Sequence, residues 1–476
     1  MTHETERMSA VDAAWLRMDR PTNLMMIVGV VVLESRIDFR RFRRTIEERF
    51  LEFPRFRCRA RQDTVSAYWE PDPDFDLDAH VVRAALTAPA GQAELESFVS
   101  QLAGSDLDRR RPIWQFHFID DFQGGSAVIL RIHHCYADGI AMIRVFLTLT
   151  DAEARPAAKR PAPRPGTGPT DAGAEGQNWF DRLNLPGADL LKQAYSEGAE
   201  WLSRAVDLSK NPEQAGEIAR HALGIAGELV RVATLADDPP TRFKGPLGTR
   251  KIAAWTDPLP LAEVKCISRA LGCTINDLLM STAAGALGGY LRQHGEDTDG
   301  LTIRAAVPVN LRDPAAAASL GNYFGLVFLE LPIGIRDPFE RLFAVHAAMS
   351  ALKNSYQPVL TLGLMAALGR MPGSVETAAI DLLSTKATAV ATNVPGPQEP
   401  LYLAGGRISR LIFWVPQSGD IGLGISILSY AGQVQFGLIA DQKRVPDPDL
   451  VAARFCEEFE KVVLSVLLGP YLRNGR

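Results

Sequence analysis

His133-His134-Cys135-Tyr136-Ala137-Asp138-Gly139 follows an apolar stretch, Ala127 to Ile132, and leads into another, Ile140 to Leu149. The first has strand length and the second helix length. The seven residues between them therefore form a short loop held by two rigid elements. A titratable imidazole on such a loop can meet a substrate while its scaffold stays fixed. Strand alternation puts Val128, Leu130, Ile132 and His134 on one side, and Ile129, Arg131 and His133 on the other. One histidine then faces a given cavity. His134 is the candidate general base and His133 its structural partner. The alternative is two structural histidines with satisfied hydrogen bonds.

Asp138 also has two readings. It can cap the helix that starts at Ile140. It can also pair with an arginine to fix the loop, and Arg312, in Pro308-Val309-Asn310-Leu311-Arg312, is the candidate partner. Gly139 allows close backbone approach. Cys135, next along the strand from His134, points away from it and is a poor nucleophile candidate. There is no GxSxG elbow, GxxxxGK loop, GxGxxG fingerprint or HExxH. A metal held by His133, His134 and Asp138 needs a further ligand, and no paired Cys or His cluster offers one, so no metal is expected.

The chain has 476 residues, 46% hydrophobic and 22% charged, enough for about two to four domains with substantial cores. A net charge of -5 gives no reason to expect nucleic acid. Five cysteines with no CxxC spacing fit a reducing, cytoplasmic compartment. The first fifteen residues do not read as a signal peptide, and no apolar run reaches the ~18 residues of a membrane span.

Mixed helices and strands without a strict βαβ rhythm indicate an α/β layered sandwich. Residues 24–33 read as a strand covered on both faces, and Asp38 caps a helix carrying Phe39, Phe42, Ile46 and Phe50. Residues 1–153 form a first domain. Within 154–240, a Pro/Ala/Gly-rich linker (154–178) precedes an amphipathic helical region. Residues 241–476 form a second domain of similar mixed character.

Further segments carry a family resemblance. HHCYADG resembles the HHxxxDG motif of CoA-dependent acyltransferases. Arg111-Pro112-Ile113-Trp114 resembles the "PLW" motif of bacterial wax ester synthase/diacylglycerol acyltransferases, with isoleucine for leucine. Asn276-Asp277-Leu278-Leu279 resembles their "ND" motif. Phe75 to Val81, Pro308 to Arg312, Gly321-Asn322-Tyr323-Phe324-Gly325 and Thr392-Asn393-Val394-Pro395-Gly396-Pro397 match the same family in order.

The resemblance implies two chloramphenicol-acetyltransferase-like domains joined by a crossover, with the histidine loop midway along a tunnel between them. It implies transfer of a fatty acyl group from acyl-CoA to diacylglycerol or a long-chain alcohol, with His134 as base and no cofactor beyond the substrates. Asn276 becomes a candidate oxyanion donor, or else the N-cap of its helix. Asn393 lines the acceptor side or builds its turn. Trp114 shapes the fold. Such apolar substrates imply a peripheral position on the inner membrane face or lipid inclusions. The stripe Trp179, Phe180, Leu183, Leu185 and Trp201 could lie in that interface or pack on the protein's own core. Two rivals stand: a condensation-type enzyme using a carrier-bound acyl donor, and a non-catalytic lipid-body protein.

Overall fold

The structure is a computed structural model that describes residues 5–63, 66–154, 231–232, 234–312, 320–353 and 355–473. The linker at 154–178 and the amphipathic stripe beyond it fall outside these residues, apart from Ala154.

The first half of the chain runs β1 (Glu6–Arg7), α1 (Ala10–Arg17), β2 (Met26–Leu33), α2 (Phe39–Arg49), β3 (Cys58–Gln62), β4 (Ala67–Pro71), β5 (Val81–Ala84), α3 (Gln92–Ala103), β6 (Trp114–Phe122), β7 (Gly125–His133), α4 (Gly139–Leu149) and β8 (Thr150–Asp151). The second half begins with β9 (Lys251–Trp255), β10 (Leu259–Pro260), α5 (Leu261–Leu271), α6 (Ile275–Gln293), β11 (Ile303–Asn310) and β12 (Phe324–Leu331). It continues with α7 (Pro338–Leu352), α8 (Gln357–Leu368), α9 (Gly373–Thr385), β13 (Ala389–Pro395), β14 (Tyr402–Leu403), β15 (Gly406–Trp414), β16 (Leu423–Tyr430), β17 (Gln433–Asp441) and α10 (Pro448–Arg473).

Local chemistry sets many of these boundaries. Ser9 and Asp38 cap α1 and α2 by accepting from backbone N–H groups of the first turn. Thr274 and Asp277 form a reciprocal capping box at the start of α6. Asn276 therefore lies inside the first turn and is not the cap. The Thr-x-x-Asp pair satisfies two terminal N–H groups, which a lone asparagine could not. Helix α1 was not foreseen, although Ser9 followed three residues later by Asp12 has the shape of a capping pair.

Two seven-stranded sheets form the scaffold. The first has the order β5-β6-β7-β2-β15-β14-β8, and the second the path β10-β17-β16-β13-β11-β12, with β9 also on β17. Strands β14 and β15 come from the second half of the chain yet complete the first sheet, so the architecture crosses the sequence boundary between the halves. β15 runs antiparallel to β2 with Phe413 opposite Gly29, and β2 runs antiparallel to β7 with Gly29 opposite Leu130.

Every residue of β2 and β7 is buried. Val31 and Val128 pack with α1, α2 and α4 on one face, while Val30 and Ile129 pack with α3, Trp255 and Trp414 on the other. This double burial accounts for the continuous apolar run of β2. A second core fills the space between the other sheet and α5, α6, α7 and α10.

Trp114 anchors the first core. Its indole Nε1 donates to the Phe56 carbonyl at 2.8 Å, and its ring stacks on His80 at 4.4 Å. It is 1% exposed and belongs to the scaffold. Trp114→Phe should lower stability by about 1–3 kcal/mol, because the Phe56 carbonyl loses its partner inside the core. Chemical denaturation of the variant and the parent checks this.

Candidate active site

β7 delivers the two histidines and α4 begins just beyond them. His133 N–H donates to the Ile113 carbonyl, and His134 N–H to the Met25 carbonyl at 2.7 Å. The ladder thus reaches one residue past the strand's end and fixes His134. The imidazoles then face different partners. His133 Nδ1 accepts from Cys135 N–H at 3.2 Å, so its ring proton sits on Nε2, 3.3 Å from Asp19. Burial pushes the Asp19 carboxyl up, but the His133 contact, the Met25 N–H and Arg109 together hold it below its ordinary value.

His134 lies between aromatic rings. Trp15 of α1 stacks on it at 4.2 Å and 29°, and Phe324 of β12 approaches edge-on at 5.6 Å. The residue is 3% exposed, and its Nδ1 is buried with no hydrogen-bond partner among the described residues. Burial depresses its pKa to about 4, despite the opposing charge of Asp138. The ring is therefore neutral at physiological pH.

Asp138 carries both roles considered for it. Oδ1 accepts from Ala141 N–H at 2.9 Å, capping α4. Oδ2 accepts from Arg312 Nη2 at 2.7 Å and from Tyr323 N–H at 2.9 Å. The last two donors come from the other half of the chain. Gly321 completes the junction. Its N–H donates to the Tyr136 carbonyl, and its carbonyl accepts from Asp138 N–H and Arg312 Nη2. It does this at φ +112°, where a side chain would be strained.

Asn322 extends the contact. Its Nδ2 donates to the His134 carbonyl at 2.9 Å and to Asp12 Oδ1 at 2.8 Å, while its N–H donates to the same Asp12 oxygen. Asp12, Trp15, Asn322 and Phe324 are the site residues that sequence reasoning passed over. Asn322 and Phe324 lay in a quoted segment with no role. Asp12 and Trp15 lay on the unforeseen helix α1.

The remaining motif positions are structural in their contacts. Tyr136 hydroxyl accepts from Ile113 N–H and donates to the Cys58 carbonyl. Burial pushes the Cys135 thiol well up, leaving it protonated. Asn276 and Asn393 meet each other: Asn393 Nδ2 donates to Asn276 Oδ1, joining the start of α6 to the end of β13. Gly139 lines an apolar cavity between α4 and the β2–β7 face, closed on its far side by β13, β15 and β16. No group of side chains among the described residues has the makings of a metal site.

A loop carrying a buried neutral histidine is thus clamped between the two halves beside an apolar cavity. Residues 8–279 match the wax ester synthase/diacylglycerol acyltransferase catalytic domain, and residues 320–462 the corresponding C-terminal domain. The chain belongs to this family and is an acyltransferase. It is 29% identical to the probable diacylglycerol O-acyltransferase tgs1 of Mycobacterium tuberculosis strain H37Rv, over 94% of this chain and 93% of that one. Its fold is similar to the wax ester synthase/diacylglycerol acyltransferase of Marinobacter aquaeolei VT8 (TM-score 0.65, 20% identity, 97% of this chain and 99% of that one). It is also similar to the first condensation domain of the calcium-dependent antibiotic synthetase (TM-score 0.58, 15% identity, 96% of each chain).

Two outcomes follow. Arg312→Met leaves the Asp138 carboxylate buried without its cation and should cost about 3–5 kcal/mol on denaturation. The second concerns Asp12, whose pKa burial raises to about 6. At pH 5 an unfolded chain carries a proton on His134 (ordinary value 6.5) and not on Asp12 (3.8), and the folded chain does the reverse. The two proton counts are equal, so together this pair gives stability little slope near that pH. Asp12→Asn removes one side of the balance. The melting temperature of that variant should then fall more steeply than the parent's as pH drops from 6.5 towards 4. Parallel curves would refute this account.

Proposed function

We propose that this enzyme transfers a fatty acyl group from acyl-CoA to diacylglycerol or a long-chain alcohol, with His134 as general base. The supporting observation is the state of His134: neutral, buried between Trp15 and Phe324, with Nδ1 unpartnered among the described residues. The imidazole takes the proton of the acceptor hydroxyl as that oxygen attacks the thioester carbonyl. The tetrahedral intermediate collapses, the C–S bond breaks, and the imidazolium returns the proton to the departing CoA sulfur. A low pKa makes the protonated ring a strong acid for that last step. The thioester is already activated, so the chemistry calls on no cofactor.

His133 and Asp138 act by position. His133 holds the loop through Cys135 N–H and Asp19, and Asp138 ties the loop to Arg312 and Tyr323. For the oxyanion we assign Asn276 as donor. Its Oδ1 is taken by Asn393, so its amide hydrogens are what it has left to offer. Asn393 then orients Asn276.

No helix among the described residues is long and apolar enough to cross a membrane. We place the enzyme in the cytoplasm, peripheral to the membrane face or lipid inclusions where acceptors of this kind reside.

The test is CoA release from palmitoyl-CoA with diacylglycerol and, separately, with hexadecanol. Release should depend on an acceptor and fall by at least a factor of about 10² in His134→Ala, the low end of general-base contributions. The acid limb of kcat/KM should lie well below pH 6.5, towards 4, because the base stays unprotonated through that range. No release with either alcohol, or full release in His134→Ala, would defeat the proposal.

A further inference from the structure

Trp15 is 6% exposed, and its indole Nε1 is buried with no hydrogen-bond partner among the described residues. An indole nitrogen only donates, and a buried donor without an acceptor is costly. Buried tryptophans usually find a partner, as Trp114 does in the Phe56 carbonyl. The rings around Trp15 do not supply one. The indole lies at 29° to His134 and at 34° to Phe324, so its in-plane N–H does not point into the face of either ring.

Helix α1 holds this donor still. Asp12, one turn back on the same face, accepts from the N–H and the Nδ2 of Asn322. Arg17, just beyond, pairs with Glu376 of α9 at 2.7 Å. The start of the helix lies flush against the end of α8, where a Cβ on Gly369 would come within 1.8 Å of the Ala10 carbonyl oxygen. A donor fixed in this way costs no reorganisation when charge develops beside it. Trp69 and Trp414 also bury indole N–H groups without partners among the described residues. Their rings lie against Tyr136 and Trp255. Of the three, Trp15 is the one that stacks on His134, at 4.2 Å.

We propose that Trp15 Nε1–H donates to the carbonyl oxygen of the acyl thioester and holds it as it becomes an oxyanion, a role that rests on the acyl-transfer reading above. In the tetrahedral intermediate the entering oxygen and the former carbonyl oxygen share one carbon. His134 serves the first at a hydrogen-bond distance of about 3 Å, and the second needs its donor equally close. Rings stacked at 4.2 Å put the imidazole and the indole within reach of two such oxygens. As the C–O bond forms, the carbonyl π pair moves onto oxygen and the hydroxyl proton goes to His134. On collapse the pair returns, the C–S bond breaks and the proton goes to sulfur. The indole keeps its own proton throughout. It shares the oxyanion with Asn276, since such holes use more than one donor.

Trp15→Phe keeps a ring against His134 and removes the N–H. Trp414→Phe makes the same deletion away from the base and is the control. CoA release from palmitoyl-CoA to hexadecanol gives kcat and KM for each between pH 4 and 8. One oxyanion donor is worth about 10²–10³ in kcat. With Asn276 still present, Trp15→Phe should lower kcat at least about tenfold, leave KM little changed and leave the acid limb in place. Trp414→Phe should keep the parent's kcat. An unchanged kcat in Trp15→Phe or an equal loss in Trp414→Phe would overturn the proposal. So would an acid limb moved up towards 6.5, because the indole would then serve only to keep water from the base. Should Trp15→Phe fail to fold, benzothienylalanine at position 15 keeps both rings, replaces the N–H by sulfur and must give the same loss. If the parent transfers no acyl group, the acyl-transfer reading fails and binding decides. Affinities are then compared for palmitoyl-CoA and for S-hexadecyl-CoA, in which CH₂ replaces the carbonyl. A preference for the thioester that Trp15→Phe removes upholds the contact; equal binding of both, or binding of neither, rejects it.

Discussion

The carboxylate of Asp138 is the joint on which the site depends. One oxygen caps the helix that follows the histidine loop, and the other takes Arg312 and the Tyr323 N–H from the opposite half of the chain. A buried carboxylate needs such satisfaction, because an unpaired charge in the interior is costly. Meeting that requirement fixes the loop, the start of α4, Arg312 and residues 321–323 relative to one another. Gly321 makes the geometry possible by accepting a backbone angle that other residues resist. The same junction brings Asn322 beneath the His134 carbonyl and Phe324 against its ring.

Burial then sets the chemistry. Excluding water around His134 disfavours its charged form, so the ring stays neutral. The same exclusion raises Asp12, so two groups that touch Asn322 or Trp15 respond to acid in opposite directions. The aromatic neighbours add shape. Trp15 and Phe324 hold the ring from different elements of the fold, so packing helps to set its orientation. The first sheet extends this logic into the cavity. β15, from the second half of the chain, places Phe413 over Gly29, and α4 carries Phe146 to meet it.

Much of this was visible in the residues. The apolar run of β2, the strand and helix around HHCYADG, and the capping aspartates at 38 and 138 follow from local chemistry, which acts over one helical turn or one strand. Arg312 could be named as a partner for Asp138 because a buried carboxylate needs a cation. Helix α1 was missed because its eight residues are short for a periodic pattern, and Ser9 with Asp12 is a small signal. The N-cap alternative for Asn276 fails because, although Asn276 is a good cap in isolation, Thr274 and Asp277 satisfy two N–H groups together.

The sequence by itself determined most of the elements, the motif and the family, since each rests on neighbours along the chain. Tertiary structure decided the rest. Only packing could show that Trp15 lies on His134, that Asn322 bridges Asp12 to the histidine loop, and that a strand from residues 406–414 completes the first sheet. These contacts join residues hundreds of positions apart. No local spacing encodes them, because they arise from burying several apolar faces at once.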